Sequence, residues 1–253
     1  MFGICNLAII PLRIEPNDRS EMVSQILFGE HFEIVEAFKQ WRKVKLQYDG
    51  YEGWIDFKQS QTITEIQYKK LSEEPIILNA DLIAYITGKD TNLIPISLGA
   101  SLSFLKDNTI NTTHFEFEGK QTSGEKEKSN LIPTAFMYLN APYLWGGKTP
   151  FGVDCSGFTQ MVYKLNGYKL LRDAAEQVTQ GEPLSFIEES EPGDLAFFDN
   201  DEGHIIHVGI IMKNNYIIHA SGKIRIDRLD HLGIYNGEIN KHTHKLRVIK
   251  KIV

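Results

Sequence analysis

A charged segment without large apolar side chains, KQTSGEKEKSN at residues 120–130, separates two parts of the chain with different residue patterns. Before it lie short runs of alternating apolar residues, such as RKVKLQY at 42–48, which are typical of half-buried β-strands. After it, NLIPTAFMYLNA at 130–141 spaces its apolar residues as a helix does, with Pro133 in the first turn. We therefore predict a β-rich N-terminal region followed, from residue 129, by an α+β domain.

Charge and cysteine content limit the classes of protein to consider. The 253-residue chain has a formal net charge of −6, whereas proteins that bind nucleic acid or anionic membranes usually present a basic face. No stretch approaches the roughly 20 apolar residues of a membrane span. We predict no nucleic-acid partner, no membrane partner and a monomer. Two cysteines 150 positions apart, Cys5 and Cys155, predict free thiols in a reducing compartment.

The N-terminal sequence bears on location. MFGICNLAII lacks the basic region and the cleavage site of a signal peptide, and it continues into a strand pattern. We therefore expect a cytoplasmic protein. An exported form, from which a precursor segment has been removed, stays open as the alternative.

The first sixty residues predict a small barrel of short strands. Asp49 and Gly50 lie between two alternating runs, which indicates a hairpin turn in which glycine adopts positive φ. Residues 11–56 resemble a bacterial SH3-like domain, with PLR at its start, the QILFGE strand and the closing hairpin DGYEGWI. Residues 75–119 repeat this pattern more faintly, with IPISLGASLSF in the place of SQILFGEHFEI. We predict an SH3-like domain over 1–60, a divergent second one with linker over 61–128, and the α+β domain over 129–253.

Cys155 lies in DCSGFTQMVYKLNGY, where Phe158, Met161, Val162 and Leu165 have helical spacing, so the cysteine falls at a helix N-terminus. Unsatisfied N–H groups and the positive end of the helix dipole favour a thiolate there and lower the thiol pKa. A buried, unreactive cysteine is an equally good interpretation of this segment alone.

Two histidines shift the interpretation toward catalysis, because a thiol nucleophile needs a base and the base needs an orienting group. His207 lies in HIIHVGIIM and His219 in NYIIHAS, two predicted strands joined at Lys213-Asn214-Asn215. A turn centred on residue 213 pairs residues whose numbers sum to 426, which places the two histidines opposite each other on one face.

No metal site and no cofactor are predicted, since the sequence has neither HExxH nor CxxC spacing. The remaining histidines of this region are expected in solvent; they are His204, His231, His242 and His244. Asp194 in EPGDL is expected to form a turn before a strand.

Five motifs in order then resemble the catalytic domain of the NlpC family of cell-wall cysteine peptidases, which has a papain-like fold. They are YLWGGKTPFGVDCSGF, RDAAEQ, EPGDLAFF, HVGIIM and IHASG, with intervals of 52 residues from Cys155 to His207 and 12 from His207 to His219. The resemblance implies Cys155 as nucleophile, His207 as general base and acid, and His219 as the group that orients His207. It also implies that Tyr143 lies near the oxyanion.

Together with the SH3-like domains, the resemblance narrows to γ-D-glutamyl-L-diamino acid endopeptidases of the dipeptidyl-peptidase VI type. These intracellular enzymes trim murein peptides that have a free N-terminal L-alanine, so a murein tripeptide is the implied partner. Asp154 is then expected to receive the substrate ammonium, with Glu21 and Tyr51 closing the pocket.

The substrate's γ-D-glutamyl carboxylate needs cationic or hydroxyl donors. The resemblance implies Arg172 and Ser156, with Asp173 beside them in the subsite. This chain departs from the family pattern at Ala174, where relatives commonly have serine, which removes one hydroxyl donor. Arg172 could instead serve only as an ion-pair partner of Asp173 or Glu176.

Two alternative functions stay open at this point. One is an exported peptidoglycan endopeptidase whose SH3-like domains bind the cell wall. The other is a non-catalytic ligand-binding module that keeps the fold.

Overall fold

The computed structural model describes residues 1–88, 92–106, 109–111 and 113–253. These residues form two compact units, 1–124 and 125–253. The predicted boundary between residues 128 and 129 lies four residues after the boundary between these two units. The backbone N–H of Lys126 already bonds the carbonyl of Asn166 at 3.1 Å, which attaches the end of the charged segment to the second unit.

The described residues of the first unit form fourteen short strands and one α-helix. Its strands are β1 (Phe2–Ile4), β2 (Ile9–Arg13), β3 (Met22–Leu27), β4 (His31–Phe38), β5 (Trp41–Leu46), β6 (Glu52–Asp56), β7 (Gln61–Ile63), β8 (Leu78–Asn79), β9 (Ile83–Thr87), β10 (Leu93–Ser97), β11 (Thr109–Ile110), β12 (Thr113–His114), β13 (Glu116–Phe117) and β14 (Gln121–Thr122). Helix α1 (Glu65–Glu73) starts at a capping box, in which Thr64 Oγ1 accepts from the N–H of Gln67 at 3.2 Å.

The first seven strands form one antiparallel sheet in the order β3-β2-β6-β5-β4-β1-β7. Gly50, in the turn between β5 and β6, has φ +77°, which confirms the predicted hairpin. Strand β7 pairs with β1 through Phe2 and Ile63, so this sheet continues three residues past the predicted boundary at residue 60. Its core is a cluster of buried apolar side chains, which are Cys5, Ile10, Leu12, Ile26, Phe32, Val44, Leu46 and Ile55.

The predicted second SH3-like segment forms smaller sheets: β10-β9-β13, β11-β12 and β14-β8. Residues 89–91, 107–108 and 112 of this segment lie outside the described part of the chain. Ile86, Ile96 and Phe115 of the segment share a buried cluster with Ile4 and Phe28 of the first sheet. The two predicted segments therefore pack into a single unit.

The second unit contains three helices and nine strands. They are α2 (Leu131–Phe136), β15 (Lys148–Thr149), β16 (Gly152–Val153), α3 (Cys155–Leu165), α4 (Ala174–Gln177), β17 (Glu182–Leu184), β18 (Leu195–Asp199), β19 (Ile205–Met212), β20 (Tyr216–Ser221), β21 (Lys223–Asp230), β22 (Gly233–Asn236) and β23 (Lys241–Lys251). None of the helices in the described ranges is long and apolar enough to cross a membrane.

Six of these strands close into a barrel. The sheet order is β17-β23-β18-β19-β20-β21-β22, and β22 also pairs with β23. The prediction of an antiparallel strand set after a helix is confirmed, but the closure was not predicted. Alternating apolar residues indicate only which face of each strand is buried. The pairing of β22 with β23 is what closes the sheet into a barrel.

Helix α3 packs against β19 and β20. All eleven of its residues are buried, so the helix lies inside the unit rather than on its surface. Asp194 forms the predicted turn before β18, where its Oδ2 accepts from the N–H of Glu191 at 2.8 Å. Lys128 closes this turn with an ion pair to Asp194 of 2.8 Å.

Candidate active site

Cys155 is the first residue of α3, as predicted, and only 7% of it is exposed. Asp154 is the N-cap, and its Oδ1 accepts from the N–H of Gly157 at 2.6 Å. The backbone N–H groups of Ser156 and Val208 act on the thiol in the direction that lowers its pKa. Val208 follows His207 directly on β19, the strand against which α3 packs.

The expected lowering of the thiol pKa is wrong for this protein. Burial, reinforced by the Asp154 carboxylate, raises the pKa of Cys155 to about 12. The two backbone N–H groups and Arg172 act in the opposite direction but are weaker. Desolvation of the sulfur therefore outweighs the helix terminus, and the resting nucleophile is a neutral thiol.

Asp154 also makes a buried ion pair with Arg172. Arg172 Nη2 lies 2.6 Å from Asp154 Oδ2, and Arg172 Nη1 lies 3.1 Å from Oδ1. Nη1 further donates to Ser156 Oγ at 3.0 Å, and the N–H of Gly146 donates to Asp154 Oδ2 at 2.8 Å. The structure thus pairs Arg172, which is 1% exposed, with Asp154.

This network bears on the predicted binding roles of Asp154, Arg172 and Ser156. Both Asp154 oxygens already accept from protein donors, and the pair is close to neutral overall. Their contact with substrate stays a prediction. What the structure establishes is that the three side chains support the first turn of α3.

The two predicted histidines lie on one face, but not in the predicted register. His219 pairs with Gly209, and paired residue numbers on β19 and β20 sum to 428. The turn is centred on Asn214, and Asn214 and Asn215 adopt positive φ of 61° and 58°. His207 and His219 are therefore diagonal neighbours, within reach of long side chains.

Gly209 makes this diagonal contact possible. A Cβ at position 209 would lie 2.9 Å from the Cβ of His219 and 2.8 Å from Cδ1 of Ile217. The missing side chain leaves space in which His219 Nδ1 approaches His207 Nε2 to 2.9 Å. The close neighbour that this glycine admits is the second histidine.

His207 is 5% exposed and His219 is 1% exposed. Burial, together with the neighbouring rings of His219 and His244, lowers the pKa of His207 well below its ordinary value of 6.5. At neutral pH the His207 imidazole is therefore uncharged, as a proton acceptor must be.

A carboxylate that the motifs did not identify completes this line of side chains. His219 Nε2 lies 3.0 Å from Asp227 Oδ2 on β21. Arg225 holds the same carboxylate through Nε at 2.7 Å and Nη2 at 3.0 Å. The spacing of Arg225 and Asp227, two apart on the strand that follows IHASG, was the available signal that they share one face.

The expectation that His244 is in solvent is wrong. Its ring stacks on His207, with centroids 4.1 Å apart and planes at 26°, and burial lowers its pKa to about 4. Closure of the barrel explains this position, since Ile234 of β22 pairs with His244. His204 and His231 are exposed as predicted, and His242 bonds Asp230 at 2.9 Å while remaining partly exposed.

One ring nitrogen from each of His207, His219 and His244 lies within 4.8 Å of the other two, a group that could hold a metal ion. Neither HExxH nor CxxC spacing accompanies this group in the sequence. Nε2 of His207 and Nδ1 of His219 are already used in the hydrogen bond between the two rings.

Tyr143 lies near the thiol. Burial raises the pKa of Tyr143 to about 12, and the charges of Cys155 and Asp154 add to the shift. The hydroxyl therefore keeps its proton at neutral pH and can donate a hydrogen bond. Its ring is 36% exposed, so it also offers a surface to a ligand.

The remaining predicted site residues lie elsewhere. Asp173 precedes α4, where its N–H donates to Glu176 Oε2 at 3.1 Å, and Ala174 is 8% exposed. Glu21 and Tyr51 belong to the first unit, where the N–H of Tyr51 bonds Asp49 Oδ1 at 3.0 Å. Their closing of a substrate pocket stays a prediction.

A buried thiol at a helix start, with a hydrogen-bonded histidine pair on the adjacent strands, is the arrangement of a thiol hydrolase, in which a base activates a sulfur nucleophile. Residues 140–247 match the NlpC/P60 family. Residues 12–59 match the bacterial dipeptidyl-peptidase SH3 domain. The chain therefore carries an NlpC/P60 domain behind a bacterial dipeptidyl-peptidase SH3 domain.

Relatives with related names cover most of the chain. A dipeptidyl-peptidase 6 of Lysinibacillus sphaericus is 28% identical to this chain, and the match spans 87% of this chain and 88% of that protein. A γ-D-glutamyl-L-lysine dipeptidyl-peptidase of Bacillus subtilis is 27% identical, with 78% of this chain matching 71% of that protein. A crystal structure of an NlpC/P60 family protein from Bacillus cereus has the same fold, with a TM-score of 0.82, 21% identity and coverage of 100% of this chain and 99% of that one.

A further group of relatives shares only the C-terminal unit. A probable endopeptidase p60 of Listeria seeligeri is 41% identical over 90 residues, which are 36% of this chain and 17% of that protein.

Proposed function

We propose that the protein is a cysteine peptidase that hydrolyses the bond between γ-D-glutamate and an L-diamino acid in murein peptides with a free N-terminal L-alanine. The observation that carries the proposal is the buried pair of His207 and His219, whose rings are joined by a 2.9 Å hydrogen bond, on two strands that pack against the helix that begins with Cys155. The names of the Lysinibacillus and Bacillus relatives support the choice of substrate.

The reaction proceeds in two stages. Because the resting pair is a neutral thiol and a neutral imidazole, Cys155 transfers its proton to His207 as its sulfur attacks the carbonyl carbon of the γ-D-glutamyl bond. His207 then gives this proton to the departing amine of the diamino acid, which leaves a thioester on Cys155. In the second stage His207 takes a proton from water, whose oxygen displaces the sulfur and restores the thiol.

Negative charge develops on the carbonyl oxygen in both stages. The N–H of Cys155, at the start of α3, and the protonated hydroxyl of Tyr143 are the proposed donors to that oxygen. The buried surroundings strengthen both hydrogen bonds, because few waters compete for the oxyanion.

Charged and polar side chains are proposed to recognise the charges of the substrate. The ammonium of L-alanine is assigned to Asp154 with Glu21 and Tyr51, and the glutamyl carboxylate to Ser156 and Arg172, with Asp173 as a further substrate-binding residue. Arg172 acts through its neighbours in this scheme, since its guanidinium is engaged by Asp154.

We extend the proposal to the fold of each unit, the location of the protein and its oligomeric state. The C-terminal unit is a variant of the papain-like α+β fold, residues 61–128 derive from a second SH3-like domain, and the protein acts as a cytoplasmic monomer on soluble murein peptides. No cofactor takes part.

The test is hydrolysis of L-Ala-γ-D-Glu-L-Lys and of its meso-diaminopimelate counterpart, followed by mass spectrometry of L-Ala-γ-D-Glu and the released diamino acid. Cys155→Ala is the control variant and should be inactive. Activity that survives a chelator excludes an essential metal at the His207, His219 and His244 group. An N-acetylated substrate cleaved as fast as the free amine would contradict ammonium recognition.

A second candidate function is an endopeptidase that acts on cell-wall peptidoglycan. The likeness of the C-terminal unit to the Listeria p60 proteins favours it. Comparison of product release from intact sacculi with release from the soluble tripeptide separates the two candidates. Faster turnover of sacculi would replace the first proposal by the second.

A further inference from the structure

The His207–His219 pair is backed by a carboxylate on the next strand. We propose that Asp227 is a positioning residue of the active site, which holds the ring proton of His219 on Nε2 and so leaves Nδ1 of His207 as the base. The inference rests on the proposed function, in which Cys155 is the nucleophile and His207 the base. It adds a fourth member to the site and specifies which ring nitrogen reacts.

Three adjacent strands place these groups in line. His219 on β20 pairs with Arg225 on β21, and Ile217 pairs with Asp227. Asp227 on β21 is therefore a diagonal neighbour of His219, just as His207 on β19 is a diagonal neighbour of His219. Asp227 is 7% exposed, so the 3.0 Å contact between its Oδ2 and His219 Nε2 is shielded from water.

Asp227 is ionised in this position. Burial alone would raise its pKa, but hydrogen bonds from His219 and Arg225 outweigh that effect, and the pKa of Asp227 is lowered from 3.8. Arg225 donates to both oxygens, at 2.7 Å and 3.0 Å. A carboxylate held in this way can only accept hydrogen bonds, so the proton in the His219–Asp227 contact belongs to His219 Nε2.

The proton positions of both rings follow from this first assignment. A neutral imidazole has one N–H, so His219 Nδ1 carries a lone pair and accepts from His207 Nε2–H across 2.9 Å. That bond uses the single ring proton of neutral His207. The lone pair of His207 then lies on Nδ1, the nitrogen that receives the thiol proton of Cys155 when the S–H bond breaks.

A purely structural role for Asp227 is the competing explanation. Arg225 also bonds Glu238 at 2.9 Å, so Asp227 could serve only to anchor an ion-pair network on β21. The two roles differ in what they predict for Asp227→Asn. If the asparagine turns its NH2 group toward His219, that group donates a hydrogen bond, and Nε2 of His219 must accept it with a lone pair. The ring proton of His219 then lies on Nδ1, and the tautomers of both histidines are reversed.

The experiment compares Asp227→Asn with Asp230→Asn in the full-length protein. Asp230 is a matched control, because it lies on the same strand and bonds a histidine, His242, at 2.9 Å, but outside the site. We expect Asp227→Asn to lower kcat about 10- to 100-fold, the usual effect of removing the partner that orients a functional histidine. KM should stay within about twofold of wild type, since uniform binding is unaffected. Asp230→Asn should change neither constant.

A direct readout comes from ¹⁵N NMR of histidine-labelled wild-type protein, which distinguishes Nδ1–H from Nε2–H rings without substrate and without any variant. His207 and His219 should both be Nε2–H tautomers. A wild-type His219 that carries its proton on Nδ1 overturns the inference even if Asp227→Asn does not fold. An Asp227→Asn protein with wild-type kcat also overturns it, whereas a wild type inert toward the tripeptide contradicts the proposed function instead.

Discussion

Asp154 and Arg172, eighteen residues apart in sequence, form a bidentate ion pair of 2.6 and 3.1 Å under the first turn of the helix that begins with Cys155. Both side chains are nearly inaccessible to water, at 8% and 1% exposure. The same carboxylate caps the helix through Gly157. The motif GVDCSGF is thus connected to RDAAEQ by a buried charge pair that positions the nucleophile.

Asp154→Asn should destabilise the protein strongly, because it removes the carboxylate that is paired with the buried Arg172 guanidinium. Breaking a buried pair in this way costs about 3–5 kcal/mol, which denaturant unfolding of the full chain can measure. Glu238→Gln, which removes an exposed partner of Arg225, is the control and should have little effect. A stable Asp154→Asn protein with a raised KM would show that ammonium binding is the main role of Asp154.

Alkylation of Cys155 by iodoacetamide should be slow at pH 7 and accelerate by about tenfold per pH unit above it, because only the thiolate reacts. The rise should continue toward pH 12, where burial places the pKa of the thiol. Mass spectrometry of the alkylated peptides separates Cys155 from Cys5, which is also buried. A rate that is already at its plateau by pH 7 would mean that the thiolate and an imidazolium pre-exist in the free enzyme.

The pH dependence of kcat/KM should respond to His244. Its ring covers His207 and contributes to the low pKa of that base, along with His219. In His244→Ala water reaches His207, its pKa rises toward 6.5, and it becomes protonated at a higher pH. The acid limb of kcat/KM should therefore move upward in pH relative to wild type. His242→Ala, two residues away on the same strand, should leave the limb in place; equal shifts in both variants would assign the change to strand β23 as a whole.

The nucleophile and the histidine pair could be predicted because their signals are local. A helix start after Asp154 and two strands on either side of a tight turn are visible in residue spacing alone. The register was not visible, because it depends on Asn214 and Asn215 adopting positive φ, which moves the turn centre from residue 213 to 214. A shift of this size changed an opposed pair into a diagonal one on the same face.

The features that were missed depend on contacts between distant segments. His244 reaches His207 only because β22 and β23 close the barrel. The thiol pKa was expected to be low from the helix terminus, yet the burial that raises it comes from packing around the whole site. For the same reason the partner of Arg172 could not be chosen among nearby acidic residues.

Gly209 should be sensitive to substitution because it faces His219. A methyl group there would lie 2.9 Å from the Cβ of His219, so Gly209→Ala should push that ring off its line with His207. We expect kcat to fall by at least about tenfold, since loss of aligned proton transfer costs rate rather than binding, and stability to fall by about 1–3 kcal/mol from overpacking. Gly237→Ala, where a Cβ meets nothing within 4 Å, is the matched control and should preserve both quantities. The measurements are steady-state hydrolysis of the tripeptide and denaturant unfolding of the two variants. If Gly209→Ala keeps the wild-type kcat while losing stability, the space beside His219 serves packing alone, and the diagonal histidine contact does not limit catalysis.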